Sequence, residues 1–513
     1  MLLQHLFLRQ LSRILIYTLE TAVLSTLIAC VIGVSAAFFT ARRSFAGRRL
    51  LLAAGIVPLC VPSLVIALGY VSFFGVNGIV SGWLKSLVAA AGGQFGGLTF
   101  LYTTAGVILA QGFYNFPLVT RIVNDAWERL PPQNENAARL LGAGEGRVFF
   151  TVTLPRLSGA IGAACIPVFL FCFFSFMIVL LFSPPGTTTL EVELYHSVRT
   201  TLDIMAGAKL AVIETVCALM IVFLYSYVIR KNQSGVEGLS FITGRKYKIG
   251  KSDFCTRPRA TLEIVFFVLL MALIFLFFVG PGAGVLVSAF TLKKQNIESA
   301  SFFQFKTLFA AANFWKSLCW SVLVGLCTAS LCCLVAFVYS VIVRMKRKQN
   351  VIALQMIPLL PMAISSVLVG WVLSLIFGGS IFSLIICQTL LYWPVAFKQI
   401  QNGLNQLTDD TQNAAFMLSR GPLDYALRFY LPSCRSVMVT AFCYCFSMSI
   451  GDATLPLVLA IPNFSTLALY TYRLAGAFRF NQACACAIIM ILVAAIPFVI
   501  GGKNDIFKSP KSS

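Results

Sequence analysis

Charge is the first thing this sequence lacks. Only 11% of its 513 residues are charged, against about 25% in a soluble domain, and 58% are hydrophobic. Acidic residues are the scarcer sign, 18 against 39 Lys and Arg. Histidine is nearly absent: His5 and His196 are the only two. With so few imidazoles there is no zinc constellation, and no metal site or cofactor is expected. The same scarcity removes the nucleophile–base pairs that an intramembrane enzyme needs, so the chain is not expected to be an enzyme. The 16 cysteines show no spacing of a disulfide framework, and most lie in apolar runs (Cys172, Cys332, Cys333, Cys443, Cys445, Cys484, Cys486), where they serve as small packing residues.

What is present is apolar length. Runs of about 20 residues, enough to cross a bilayer core, fall near 15–41, 50–74, 101–121, 158–183, 206–229, 259–289, 314–344, 351–376, 380–398, 437–460 and 481–502. Eleven such runs predict an all-α polytopic membrane protein in the lipid bilayer. Their Gly and Pro content and their length speak against a β-barrel. The run at 14–41 is too long for a signal-peptide core and is followed by Ala41-Arg42-Arg43, so it reads as a retained helix. When alternate connections are assigned to one side, that side carries 28 of the 39 Lys and Arg, which makes it cytoplasmic. Topology therefore accounts for the net charge of +21, and no nucleic-acid partner is expected.

The chain also repeats itself. Residues 135–155 read ENAARLLGAGEGRVFFTVTLP and residues 412–432 read QNAAFMLSRGPLDYALRFYLP. Each carries Asn-Ala-Ala and, sixteen residues later, Leu-Pro: Asn136-Ala137-Ala138 to Leu154-Pro155, and Asn413-Ala414-Ala415 to Leu431-Pro432. At the offset that carries Asn136 onto Asn413, Gln111 also matches Gln388, Pro117 matches Pro394, and Thr189-Leu190 matches Thr466-Leu467. Upstream the offset reads as 299–301, from Ala36-Ala37-Phe38 against Val335-Ala336-Phe337, Pro58 against Pro358 and Gly69 against Gly370. The first half thus holds a Gly-rich insertion of about two dozen residues between Tyr70 and Gln111. An even number of helices separates the copies, so the repeats are parallel. The expected division is a first repeat at 1–235 with five helices, a basic linker at 236–258, and a second repeat at 259–513 with six. The helix at 259–289 has no counterpart ahead of 15–41; either one amino-terminal helix of the first repeat was lost or the start is drawn late.

Both doubled segments lie on the basic side, in loops at 123–157 and 399–436. Each begins with a helix start signal, either Pro131-Pro132 with Asn134 or Thr408-Asp409-Asp410, and each stops at a glycine, Gly142 or Gly421. A second short helix is expected to end at the Leu-Pro, where proline turns the chain. The small Ala pairs would let another backbone approach closely. Repetition at equal length points to a docking device.

These motifs resemble the membrane subunits of binding-protein-dependent ABC importers. The cytoplasmic signature of that family is Glu-Ala-Ala, three residues, Gly, nine residues, then Ile-x-Leu-Pro. Asn136-Ala137-Ala138, Gly142 and Val152-Thr153-Leu154-Pro155 fill its slots once; Asn413-Ala414-Ala415, Ser419 and Phe429-Tyr430-Leu431-Pro432 fill them again. Asn stands for Glu in both copies and Ser419 for Gly in the second. The resemblance implies a type I importer permease in the bacterial inner membrane. It would be coupled through these residues to a homodimer of separate ATPase subunits and fed by a periplasmic substrate-binding protein. The fused form is similar to the permeases of thiamine and ferric-iron importers. Stretches 113–133, 171–195 and 449–485 look closer to the thiamine type. The alternatives are an iron or other small-solute permease, or an ion-gradient transporter.

Two further features invite attention. GRKYKIGKS at 244–252 imitates a phosphate loop, but five residues separate its glycines, not four, and no strand leads into it; a solvated linker is expected. Among carboxylates near the spans, Glu20 and Glu214 lie near expected helix ends. Asp452, between Gly451 and Pro456, could sit in a broken helix and line the translocation path.

Overall fold

The computed structural model describes residues 2–43, 45–131, 133–233, 258–294, 297–345, 357–361, 364–404 and 409–501. The linker at 236–258 and the loop at 244–252 fall almost wholly outside the described residues. Apart from its connections the described chain is helical except for one hairpin, Thr291–Lys294 paired antiparallel with Ile297–Ala300, which the all-α expectation did not contain. Among the described residues, nine helical segments are long and apolar enough to cross a membrane, and they correspond to nine of the eleven expected runs. The other two differ for physical reasons. The helix Thr104–Trp127 has the length but carries Gln111, Asn115, Asn124 and Asp125, which lower its hydropathy. The run at 351–376 contains only the short apolar helix Ser366–Phe377, and residues 351–356 are outside the described part.

The repeat is visible as geometry. The offset that carries Asn136 onto Asn413 also carries both ends of Thr104–Trp127 onto those of Ile381–Leu404, and both ends of Met177–Phe182 onto those of Thr454–Leu459. Upstream, one longer offset carries Ser63–Phe74 onto Ser366–Phe377 and the end of Leu2–Arg42 onto the end of Ala312–Met345. Hydrogen bonds agree with both registers. Ser25 donates to Gln111 Oε1 at 2.9 Å and Thr328 to Gln388 Oε1 at 3.1 Å. The Leu190 N–H donates to Thr18 at 2.9 Å and the Leu467 N–H to Ser321 at 2.6 Å. The offset of 299–301 read from Ala36, Pro58 and Gly69 is therefore corrected to the slightly larger one that separates Ser63 from Ser366. A slip of about one helical turn keeps an apolar pattern in phase, so dipeptide markers inside a uniform helix could not fix it.

Two compact units form, and they are not the two sequence repeats. One comprises Met1–Pro58, Gly69–Glu193 and Val212–Gly284; the other comprises Leu59–Leu68, Leu194–Ala211 and Val285–Ser513. In the first, Leu2–Arg42 packs on Thr104–Trp127 and on Leu154–Phe173. The helix Pro258–Ile274 and the turn Phe275–Val279, drawn in sequence from the second repeat, also belong to this unit. Tyr70 donates to the Phe277 carbonyl at 2.6 Å, Phe113 stacks on Phe277 at 4.8 Å, and Arg43 grips Glu263 at 2.8 and 2.9 Å. In the second unit, Ala312–Met345 packs on Ile381–Leu404 and Leu431–Gly451. Its core gathers Val324, Val369, Leu384, Cys387, Leu455, Leu459 and Phe464.

Glu214 departs from its expected place. It is fully buried in the body of Ile204–Gln233, not at an interfacial helix end. Glu20 is exposed within Leu2–Arg42. The described cysteines are free thiols, nine of them buried, which fits their role as packing residues.

Candidate docking interface

The first doubled segment is built from three pieces: the helix Gln133–Leu140, a turn, and the helical stretch Glu145–Val148 running into Phe149–Thr153. Gly142 makes the turn at φ +83°, a left-handed conformation that glycine adopts without a steric penalty. Around it the Ala143 N–H reaches the Ala138 carbonyl at 3.1 Å and the Gly142 N–H reaches the Arg139 carbonyl at 2.9 Å, a helix C-terminal lock that consumes orphan carbonyls. The second segment is Asp409–Leu418, a turn, Pro422–Tyr425 and Ala426–Tyr430. Its Ser419 is not among the residues of positive φ. Its N–H and hydroxyl both donate to the Phe416 carbonyl, at 3.2 and 2.7 Å. That is why serine stands in the glycine slot: the second turn asks for no left-handed residue.

Both segments widen into one turn of π helix immediately before the Leu-Pro, at Phe149–Thr153 and Ala426–Tyr430, again in the register that pairs Asn136 with Asn413. Proline has no N–H to give and its ring crowds the carbonyl four residues back. A widened turn accommodates both defects while the chain stays helical. Pro155 and Pro432 accordingly occupy the first turn of the membrane helices Leu154–Phe173 and Leu431–Gly451. The expectation that proline turns the chain at this point is corrected: the second helical stretch of each doubled segment, beyond its turn, runs on into the membrane helix as one continuous helical path.

The exposed surfaces of the two segments are alike in kind. On the first, Asn136 and Ala137 are exposed and Ala138 half-buried. The surface beside them is apolar: Leu140 and Leu141 are each 90% exposed and Phe150 67%. On the second, Ala414 is exposed, Ala415 and Ser419 are half-buried, and Met417 and Leu418 are 87% and 86% exposed. The Asn413 backbone lies within Asp409–Leu418; its side chain is outside the described part. Leu154 is half-buried, and Pro155, Leu431 and Pro432 are exposed. Sequence reasoning missed the apolar pairs. Their signal is a run of large apolar residues, Leu140-Leu141 or Phe416-Met417-Leu418, closing a helix that is otherwise polar or small. Exposed apolar pairs on a connection between spans have the chemistry that a protein contact would use.

The segments differ underneath. Glu135, one place before the signature slot, is buried, at 5% exposed. Its Oε1 pairs with Arg42 and accepts from the Thr153 hydroxyl at 2.8 Å. The signature Asn136 faces outward and accepts from Arg139 at 2.9 Å. In the second segment an aromatic cluster takes this place. Tyr425 and Tyr430 are buried with hydroxyls 3.3 Å apart, and Tyr425 meets Phe416 at 5.4 Å and Phe429 at 5.5 Å between ring centroids.

Asp452 ends Leu431–Gly451 and caps the next helix, Thr454–Leu459. Its Oδ1 accepts the Thr454 and Leu455 N–H groups at 2.9 and 3.1 Å, while Oδ2 accepts from Gln388 at 3.1 Å. The helix break expected around it is present, and both carboxylate oxygens are engaged in holding that break. The residue at the equivalent place in the first half is Ser175. Among the described residues no group of three metal-ligating side chains comes together.

Comparison with known proteins bears on all of this. Residues 29–234 and 350–504 match the family described as the binding-protein-dependent transport system inner membrane component, once in each half. The chain is 24% identical to the thiamine transport system permease protein of Escherichia coli K12, over 93% of its own length and 86% of that protein's. It is also 24% identical to the protein of the same description from Haemophilus influenzae, over 95% and 88% of the two lengths. A shorter match, 32% identical, covers 27% of this chain and 48% of the sulfate transport system permease protein of a Synechocystis species.

Proposed function

The chain belongs to the binding-protein-dependent transport system inner membrane components, and on that premise we propose that it is the membrane subunit of an ATP-driven importer for thiamine or its phosphate esters. It is a multi-pass protein of the inner membrane and a transport component. In this reading a periplasmic binding protein delivers the cargo, and two copies of a separate ATPase chain supply the energy. Each ATPase copy receives one doubled segment: Leu140-Leu141 with Asn136, Ala137, Ala138 and Gly142, or Met417-Leu418 with Asn413, Ala414, Ala415 and Ser419. Leu154-Pro155 and Leu431-Pro432 carry the segments' motion into the membrane, because the helix runs unbroken through them. When ATP draws the ATPase copies together, each segment moves with its partner, and the path through the membrane alternates its access. The permease contributes this movement and does no covalent chemistry.

The observation that carries the reading is the duplicated segment itself: two short helices, a π turn at one register and an exposed apolar pair at each tip. The cargo rests on the relatives that match nearly end to end. The test is uptake of labelled thiamine, sulfate and ferric iron by cells with and without this chain, each with and without ATP depletion. Loss of ATP-dependent thiamine uptake alone is the expected result. Loss of iron or sulfate uptake instead would change the cargo and keep the architecture. Uptake that depends on the chain but persists on an ion gradient without ATP would contradict the coupling role.

A further inference from the structure

We propose that Glu135 is the positioning residue that sets the angle of the first doubled segment and ties its movement to the membrane helices; the inference rests on the docking reading above. Three elements meet at this carboxylate, and a fourth joins them through Arg42. It lies in the segment's leading helix, Gln133–Leu140. Arg42, its ion-pair partner, is the last residue of Leu2–Arg42. Thr153, its hydrogen-bond donor at 2.8 Å, closes the π turn that leads into Leu154–Phe173. The guanidinium of Arg42 also lies 5.9 Å from the ring centre of Trp127, the last residue of Thr104–Trp127. Trp127 in turn stacks on Phe149 at 5.9 Å, at the start of the π turn. Arg139, one turn along the segment, stands 3.7 Å from the second carboxylate oxygen.

Packing alone does not call for this charge. A buried ion pair is matched or bettered in stability by apolar groups of like volume. The second segment has no charge at the matching sequence positions. It carries Gln412 for Glu135, Met345 for Arg42, Leu404 for Trp127 and Tyr430 for Thr153. What a charge-assisted pair adds over an apolar cluster is direction, since its atoms must stay aligned. Arg43 and Arg48 extend the directed contacts. Arg43 holds Glu263, and Arg48 reaches the Thr40 carbonyl at 2.6 Å and Glu128 at 2.5 Å. A force on Leu140-Leu141 therefore arrives at Leu2–Arg42 and Thr104–Trp127 through bonds that fix an angle. The carboxylate that the signature lacks at Asn136 is present one residue earlier, turned inward.

The experiment uses the complete transporter in proteoliposomes, with its ATPase and binding protein. It measures retention of ATPase, the KM for ATP, and labelled thiamine taken up per ATP hydrolysed. E135Q keeps the side-chain shape and an oxygen for Thr153 but removes the charge. The expected result is ATPase retention and KM within twofold of the parent, with uptake per ATP at least fivefold lower. The charge-swapped double variant R42E/E135R should recover half or more of the loss. Uptake per ATP within twofold of the parent in E135Q would overturn the proposal. So would loss of ATPase retention in E135Q that the swapped pair fails to restore, since the carboxylate would then serve the fold alone. L140D/L141D separates this from the underlying reading: if ATPase retention survives that change, the docking assignment fails whatever E135Q does.

Discussion

The two doubled segments share a surface and a backbone but not a foundation. Both carry an exposed apolar pair where the leading helix gives way to the turn, and both pass through a π turn into a proline-started membrane helix. The first is locked by a left-handed glycine and seated on an ionic junction of Arg42, Glu135 and Thr153. The second turns without a left-handed residue and sits on Tyr425, Tyr430, Phe416 and Phe429. Duplication preserved what a partner would touch and let the internal support diverge. The signature residues read as a surface, and the supporting residues as two solutions to one mechanical problem.

That contrast can be broken or sharpened by substitution. The largest effect is expected where the copies agree. L140D/L141D, or M417D/L418D, places two carboxylates on an apolar contact, and ATPase co-purification should fall more than tenfold for either. Equal losses would sharpen the comparison, whereas loss from one segment only would break it. Next comes the support. E135A leaves Arg42 unpaired in a part-buried site, which costs about 3 kcal/mol and should lower the Tm of the purified chain. Y430A opens the aromatic seat at a cost of about 3 kcal/mol through lost packing. The two differ in salt dependence: raising the salt concentration should change the penalty of E135A and leave that of Y430A unaltered. Smaller still is Y430F, which removes one hydroxyl contact and should cost about 1 kcal/mol or less. The smallest pair concerns the turns. G142A forces a side chain into φ +83° and should cost about 1 kcal/mol, while S419G should leave stability within about 0.5 kcal/mol. A Ser419→Gly change that stabilised the chain by as much as G142A destabilises it would show that the two turns are the same.

Much of this was legible in the sequence. Helical membrane architecture follows from apolar run length, and the repeat follows from Asn136 and Asn413 with their distant prolines. Both survive because they depend on spacing at helix boundaries, where glycine, proline and polar residues punctuate the chain. The upstream register was misread because Ala36 and Ala336 sit inside uniform apolar helices, where a shift of one turn leaves the pattern unchanged. The Leu-Pro was misread as a turn because a π widening, which lets proline continue a helix, has no local signature. Glu135 was passed over because the family slot is one residue later and burial of a loop carboxylate depends on Arg42, far upstream in the chain. Asp452 was legible as a helix break, but its hold on Gln388 needs the fold.

The most direct test of the central claim is photo-crosslinking in the assembled transporter, with a benzophenone side chain placed at Leu140 in one variant and at Met417 in another. Both positions are expected to crosslink to the ATPase chain, each in one copy per transporter. Failure of either position to reach the ATPase, while the transporter still takes up its cargo, would contradict the account of paired docking segments.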